Sequence, residues 1–411
     1  MREMKDSGIA WVGEIPFDWE MTKIANLYRI RNQKVSDKDY PALSVTMKGI
    51  LPQLENVAKT NDGDNRKLVK KGDFAINSRS DRRGSCGISE YNGSVSLINT
   101  VLMPLSEMNP RYYNWLFHTV QFADEYYKCG HGIVDDLWTT TWQEMKKINI
   151  PTPSLPEQQK IAAYLDSKCA EIDGLVSDIQ SQIDTLEQYK RSVVIETVTK
   201  GLNLDAAMKN SGIQWIGDIP EHWNCIRGKY ILKYISKPIC EDDGVITCFR
   251  DGEVTLRSNR REDGFTMADK EIGYQGIDVG DLVVHGMDGF AGAIGISDSR
   301  GKASPVLNVL ETDENKRYIM YFLRSMAYGD VFIALATGIR VRSCDLRWNK
   351  LAELFYPVPP LDEQKAIVEY IDRIISETNS IIAAKKEQIS TLEAYKKSVI
   401  YEYVTGKKEV V

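Results

Sequence analysis

Arginine recurs in three polar stretches of this chain. Arg79, Arg82 and Arg83 stand in a Ser-, Asp- and Gly-rich run, with Ser78 and Ser80 beside them. Arg257, Arg260 and Arg261 surround Ser258 and Asn259, and Arg340, Arg342 and Arg347 follow Gly338. A guanidinium is a planar, permanently charged fork of N–H donors. It can meet two acceptors at once, a geometry offered both by phosphate oxygens and by the O6 and N7 edge of guanine. Serine and asparagine add single donors and acceptors. Carried on loops at the ends of strands, these residues are candidates for contacting nucleic acid, some holding phosphate for position and others reading base edges.

The residue patterns of an enzyme are missing. Gly301-Lys302 is followed by Ala303 and lacks the upstream glycine of a phosphate loop. The glycines from Gly286 to Gly295 give no G-x-G-x-x-G and read as a turn between strands. Asn109-Pro110-Arg111-Tyr112 resembles the Asn-Pro-Pro-Tyr site of amino-methyltransferases, but the second proline is absent and no cofactor glycine loop precedes it. A turn opening a helix at Tyr112 is the simpler reading. The seven cysteines are scattered and never spaced C-x-x-C, and the four histidines have no metal-ligand spacing. The expectation is a binding protein with no catalytic residue, metal or cofactor of its own.

Loops need elements to hold them, and the largest of these occurs twice. Leu155 to Thr199 lies over Leu361 to Thr405 at an offset of 206 with 19 identities in 45 positions. Leu165, Ile172, Ile179, Leu186 and Val193 fall seven apart, the seam of a coiled coil. Ile371, Ile375, Ile382, Ile389, Leu392 and Val399 keep the frame in the second copy, where Thr378 and Lys385 interrupt it. No proline falls inside either run beyond the first turn, where Pro156 is tolerated, and Ser154 with Glu157 fits a capping box. At 1.5 Å per residue each copy makes a rod of about 65 Å.

A second repeat opens each half. DSGIAWVGEIPFDWE at Asp6 to Glu20 returns as NSGIQWIGDIPEHWN at Asn210 to Asn224, aligning Trp11 with Trp215 and Trp19 with Trp223. Its aperiodic Trp and Gly read as a lead-in that packs on a neighbouring element. Some 130 less similar residues follow each lead-in, with turn signals at Lys71-Gly72-Asp73 and Val279-Gly280-Asp281 and helices predicted at Tyr112 to Tyr127 and Lys316 to Tyr328.

The expected fold is α+β: two similar, mixed but largely β domains at 1–150 and 206–357, and two long helices at 151–205 and 358–411. The Pro-rich joints at Pro151 to Pro156 and Pro357 to Pro360 let the helices pair antiparallel within one chain, giving an internal pseudo-twofold. Thr378 and Lys385 are then expected where a partner, rather than the other helix, is touched.

Net charge is −6 overall, with no basic segment, so any nucleic-acid footprint must be a local patch. No apolar run is long enough to cross a bilayer and Met1 to Gly8 does not resemble a signal peptide, so the expected location is cytoplasmic, away from membranes.

The lead-in Ser-Gly-Ile-x-Trp-x-Gly-x-Ile-Pro-x-x-Trp, the Leu-Pro-Glu-Gln at Leu155 to Gln158, the Tyr-Lys-x-Ser at Tyr189 and Tyr395, and the Val-Thr-Lys-Gly at Val198 to Gly201 together resemble the specificity subunit of type I restriction-modification enzymes. Asp362 replaces the proline of the second Leu-Pro-Glu-Gln, and Gly406-Lys407 inverts the Lys-Gly order.

The resemblance implies a non-catalytic reader of double-stranded DNA. In that family each variable region is a target recognition domain for one half of a bipartite asymmetric site. The helices set the gap and dock two methyltransferase subunits, and translocase/nuclease subunits join that core. Two alternatives are a self-sufficient DNA adenine methyltransferase and a coiled-coil scaffold that binds only proteins.

Overall fold

A computed structural model of the chain describes residues 2–53, 63–79, 82–105, 107–132, 138–260, 272–335 and 346–410. The chain divides into two compact units, residues 1–179 with 386–411 and residues 180–385. The division cuts through both rods, so each unit combines one β-rich module with part of each long helix.

Unit 1 opens with a hairpin of Met4–Asp6 and Glu14–Pro16. Glu20–Lys23 then pairs antiparallel with Asn149–Thr152, bringing the two ends of the module together. Its main sheet is antiparallel in the order Cys86–Ile88, Phe74–Asn77, Asn99–Pro104, Tyr28–Ile30. Strand Phe74–Asn77 is buried along its whole length, as its apolar composition demands.

The predicted helix Tyr112 to Tyr127 is two helices, Pro110–Phe117 and Val120–Lys128. His118 ends the first, and Thr119 caps the second, its hydroxyl accepting from Phe122 N–H at 3.2 Å. Phe117 packs on Phe74 and Phe122 with ring centroids 4.9 and 4.6 Å apart, and these rings share one core with Leu165, Cys169, Val399 and Ile400 of the rods.

Unit 2 repeats this plan. Its main sheet runs Leu232–Ile235, Leu307–Thr312, Leu282–His285, Ile294–Ile296, and Asn224–Arg227 pairs with Phe355–Val358. The helix Lys316–Tyr328 has the predicted bounds. Both turn glycines, Gly72 and Gly280, have positive φ, and the aspartate after each is buried in an ion pair: Asp73 with Arg31 at 2.6 Å, Asp281 with Lys237 at 2.7 Å.

A repeated joint fixes each module on its rod. Trp19 Nε1 donates to Glu157 at 2.9 Å, and Trp223 Nε1 to Glu363 at 3.0 Å. Glu157 also receives Arg2, so it ties down the lead-in as well as standing in the rod's first turn. The next residue is a buried amide. Gln158 accepts from Asn109 N–H at 2.9 Å and donates to the Pro153 carbonyl at 2.8 Å, while Gln364 accepts from Asn315 N–H and donates to the Pro359 carbonyl, both at 2.9 Å. Asn109 and Asn315 are the N-caps of Pro110–Phe117 and Lys316–Tyr328. Tyr112 and Tyr318 complete the joint, donating to Val404 O at 2.8 Å and Val198 O at 3.0 Å.

The long helices span Leu155–Lys200 and Leu361–Val404. They run antiparallel inside each unit. In unit 1, Lys396 donates to Asp173 at 2.6 Å and Tyr164 packs on Tyr403 with centroids 4.4 Å apart. In unit 2, Lys190 donates to Asn379 at 2.7 Å and Lys385 to Gln182 at 2.6 Å. Lys190 with Asn379 repeats Lys396 with Asp173 at the offset of 206.

Leu165, Ile172, Ile371, Ile382 and Val399 are buried, and Ile179, Leu186, Val193, Ile375, Ile389 and Leu392 half-buried, as a shared seam requires. The expectation for the seam breaks is corrected. Thr378 is buried and Lys385 reaches the other helix, so both belong to the seam and not to a partner-facing surface.

Candidate nucleic-acid interface

In unit 1 the predicted basic loop begins where strand Phe74–Asn77 ends. The Asn77 side chain accepts from Arg79 N–H at 3.0 Å, which turns the chain out of the sheet. Ser78 is buried and spends its hydroxyl on the Ile98 carbonyl, which makes it part of the support. Arg79, Arg82 and Arg83 are exposed.

Arg83 lies 3.8 Å above the Tyr127 ring and meets Asp124 at 3.1 Å. Tyr127 in turn packs on Trp138, centroids 5.5 Å apart, and Trp138 Nε1 donates to the Tyr127 carbonyl at 2.9 Å. The guanidinium is therefore held on an aromatic platform in a defined plane, which costs less entropy on binding than a free arginine.

Unit 2 carries its arginines elsewhere on the same scaffold. Ile246–Cys248 and Val254–Leu256 form a hairpin, followed by a turn of 3-10 helix at Arg257–Asn259. Arg250, Arg257 and Arg260 from this element, with His285 from the main sheet, line a groove of about 830 Å³. Arg260 sits 4.3 Å above the Phe249 ring and pairs with Asp251 at 2.5 Å and Glu253 at 3.1 Å. Arg250 meets Asp288 at 2.9 Å.

Arg257 is half-buried, its Nε donating weakly to Thr247 Oγ1 at 3.4 Å. Asn259 donates to Thr255 Oγ1 at 2.9 Å, and Ser258 is exposed. Burial pushes the Cys248 thiol on the groove wall up to about 12, so it is no nucleophile. Arg347 is exposed and starts the short helix Trp348–Leu351. Ser80, Arg261, Arg340 and Arg342 lie outside the described residues.

Sequence reasoning passed over Arg250 and His285. A signal for the second was present: aligning Gly87-Ile88-Ser89 with Gly295-Ile296-Ser297 sets His285 over Asn77, the residue that opens the basic loop of unit 1. Asn109 has the plain role expected of it, its side chain accepting from Arg111 N–H at 2.9 Å. Among the described residues no group of His, Cys, Asp and Glu could hold a metal ion, and no helix is long and apolar enough to cross a membrane. The arrangement can bind and orient an anionic, hydrogen-bonding ligand.

The helices also expose apolar side chains away from the seam. Leu175 and Tyr395 in unit 1 are 46% and 47% exposed, and Tyr189 and Ile381 in unit 2 are 48% and 47% exposed.

Residues 16–185 match the family model of the type I restriction modification DNA specificity domain. Over 96% of this chain and 94% of the relative, the sequence is 24% identical to the type I restriction enzyme MjaVIII specificity subunit of Methanocaldococcus jannaschii. It is 23% identical to the putative MjaX specificity subunit of the same organism, over 97% of this chain and 96% of that one.

Two solved structures share the fold. A chain from a study of complex assembly and conformational transition of the type I R-M system aligns with a TM-score of 0.68 at 14% identity, covering 96% of this chain and 99% of that one. The HsdS subunit from Thermoanaerobacter tengcongensis aligns at 0.50 and 14% identity, covering 96% and 98%.

Proposed function

We infer, from the premise that this chain belongs to the specificity subunits of type I restriction-modification enzymes, that it is the non-catalytic DNA reader of a methyltransferase and nuclease assembly. Unit 1 reads one half of a split, asymmetric site in double-stranded DNA, and unit 2 reads the other. The rods, which pass through both units, set the unread gap. One observation carries the reading: the two units keep the same strands, turn aspartates and rod joints while arginine moves from the loop after Asn77 to the hairpin around Arg250. A duplicated scaffold with relocated charge suits two different half-sites.

Arg79, Arg82 and Arg83 supply the contacts of unit 1. Arg250, Arg257 and Arg260 supply those of unit 2, with Arg347 a further candidate, and Arg261, Arg340 and Arg342 are candidates from the sequence alone. Their attraction to phosphate is screened by salt, whereas base contacts confer sequence.

Two methyltransferase subunits dock on the rods, and translocase/nuclease subunits join that core. The seam residues are used up between the helices, so the docking contacts fall to the exposed Leu175 and Tyr395 in unit 1 and Tyr189 and Ile381 in unit 2. Exposed apolar and aromatic side chains suit protein better than phosphate.

Co-expression with the methyltransferase subunits and genome-wide mapping of methylated adenine tests this. The expected result is one bipartite motif with a fixed gap, and no methyl transfer by the chain alone. Methylation without sequence preference, or transfer by the isolated chain, would refute it.

A further inference from the structure

Asn77 and His285 occupy the same place in their sheets. Asn77 pairs with Asn99, and His285 with Leu307, across the adjacent strand. Their side chains also open the following turn in the same way. Asn77 Oδ1 accepts from Arg79 N–H at 3.0 Å, and His285 Nδ1 accepts from Met287 N–H at 3.2 Å and Asp288 N–H at 3.0 Å.

A ring nitrogen that accepts carries no proton, so the imidazole proton resides on Nε2. Charging the ring would put a second proton on Nδ1 against two N–H donors. Burial also holds the ring's pKa below its usual value, and the nearby charge of Arg250 adds to this against the opposing pull of Asp288. The ring is a neutral donor of fixed tautomer.

The two residues differ in what remains beyond the turn. An asparagine side chain ends at the amide, whereas the imidazole reaches further and lines the arginine groove. Its Nε2–H has no hydrogen-bond acceptor among the described residues, and Asp288 Oδ2 stands 3.9 Å away, beyond bonding distance.

We propose that His285 is a specificity-determining residue of unit 2, its Nε2–H donating to an acceptor on a base edge in the groove, of the kind presented by purine N7, guanine O6 or thymine O4. The proposal rests on the reading of unit 2 as a DNA binder. The arginines attract any sequence, but a neutral donor discriminates. Where an amino group of adenine or cytosine takes the acceptor's place, two donors face each other and neither is satisfied.

The equivalence with Asn77 supplies the test. His285→Asn keeps an acceptor for the turn, as Asn77 does, and deletes the groove donor. His285→Gln places an N–H near the Nε2 position and withdraws the acceptor from the turn. Each variant is assembled with the methyltransferase subunits, selected against a randomised DNA library, and unfolded in denaturant.

With His285→Asn, stability should hold while preference at one position of the unit 2 half-site falls about tenfold, the worth of one hydrogen bond. With His285→Gln, preference should hold and stability fall. An unchanged motif with His285→Asn overturns the proposal, as does an equal weakening on every sequence, which would mark a phosphate contact. If the unaltered protein selects no bipartite motif, the DNA reading of the units fails first.

Discussion

Replacing Gln158 by leucine should loosen unit 1 and leave unit 2 intact. The amide is 3% exposed and bridges the first turn of a module helix to the joint before the rod. Leucine keeps the bulk but leaves the Asn109 N–H and the Pro153 carbonyl without their partner. A buried polar group so abandoned costs about 1–3 kcal/mol. Asn109 is only half-buried and recovers part of its loss from water, so the two together cost about 2–3 kcal/mol.

The matching change at Gln364 should cost more. That residue is fully buried and also donates to Glu314 at 2.6 Å, so leucine strands a carboxylate as well. Gln158→Glu offers no rescue, because a carboxylate cannot donate to the proline carbonyl.

The two units need not unfold together, so the measurement must resolve them. Hydrogen exchange read by mass spectrometry on peptides covering Asn109 to Phe117 and Asn315 to Tyr328 does this. Gln158→Leu should lower protection in the first peptide alone, and Gln364→Leu in the second alone. Equal loss in both peptides, or a change under about 1 kcal/mol, would show that the glutamines do not hold the joints.

Three further outcomes can be checked. Arg79, Arg82 and Arg83 changed together to alanine should lower affinity for one half-site at least tenfold and flatten the salt dependence, with methyltransferase co-purification unaltered; unchanged titrations at two salt concentrations would exclude this loop. Four residues inserted between Ile179 and Gln180, about one helical turn, should lengthen one rod against the other and alter the recognised gap or abolish assembly; an unaltered motif and affinity would count against the rods as a ruler. Leu175→Glu with Tyr395→Glu should weaken methyltransferase binding without shifting the denaturation midpoint, and co-purification at full yield would move the docking surface elsewhere.

The rods were legible because a seven-residue spacing admits one geometry, and the lead-in tryptophans because the same aperiodic segment occurred twice. Lys316–Tyr328 was legible as a helix with its observed bounds. The break at Thr119 was not, because a threonine inside an apolar pattern becomes a cap only where the module turns. Thr378 and Lys385 misled for a related reason. A heptad pattern treats polar residues as interruptions, yet a threonine can be buried and a lysine can reach Gln182 across the helix pair. The arginine clusters were visible as composition. What holds them was not: the platform of Tyr127 and Trp138, Phe249 beneath Arg260, and the carbonyl-bound Ser78 depend on pairings between distant segments.

Unit 1 is discontinuous, and this orders its synthesis. Tyr401 donates to the Trp11 and Val12 carbonyls at 3.0 and 3.1 Å, Lys407 donates to Val12 O at 2.7 Å, and Val399, Ile400 and Val404 lie in the core that holds Trp19. Unit 2 is a single uninterrupted stretch of chain, so a growing polypeptide can complete it first. The first unit to leave the ribosome is therefore the last to close. Throughout the translation of residues 180–385 its core lacks Val399, Ile400 and Val404, and the Trp11 and Val12 carbonyls lack Tyr401 and Lys407. Loss of residues after Lys386 would damage recognition at the opposite end of the sequence.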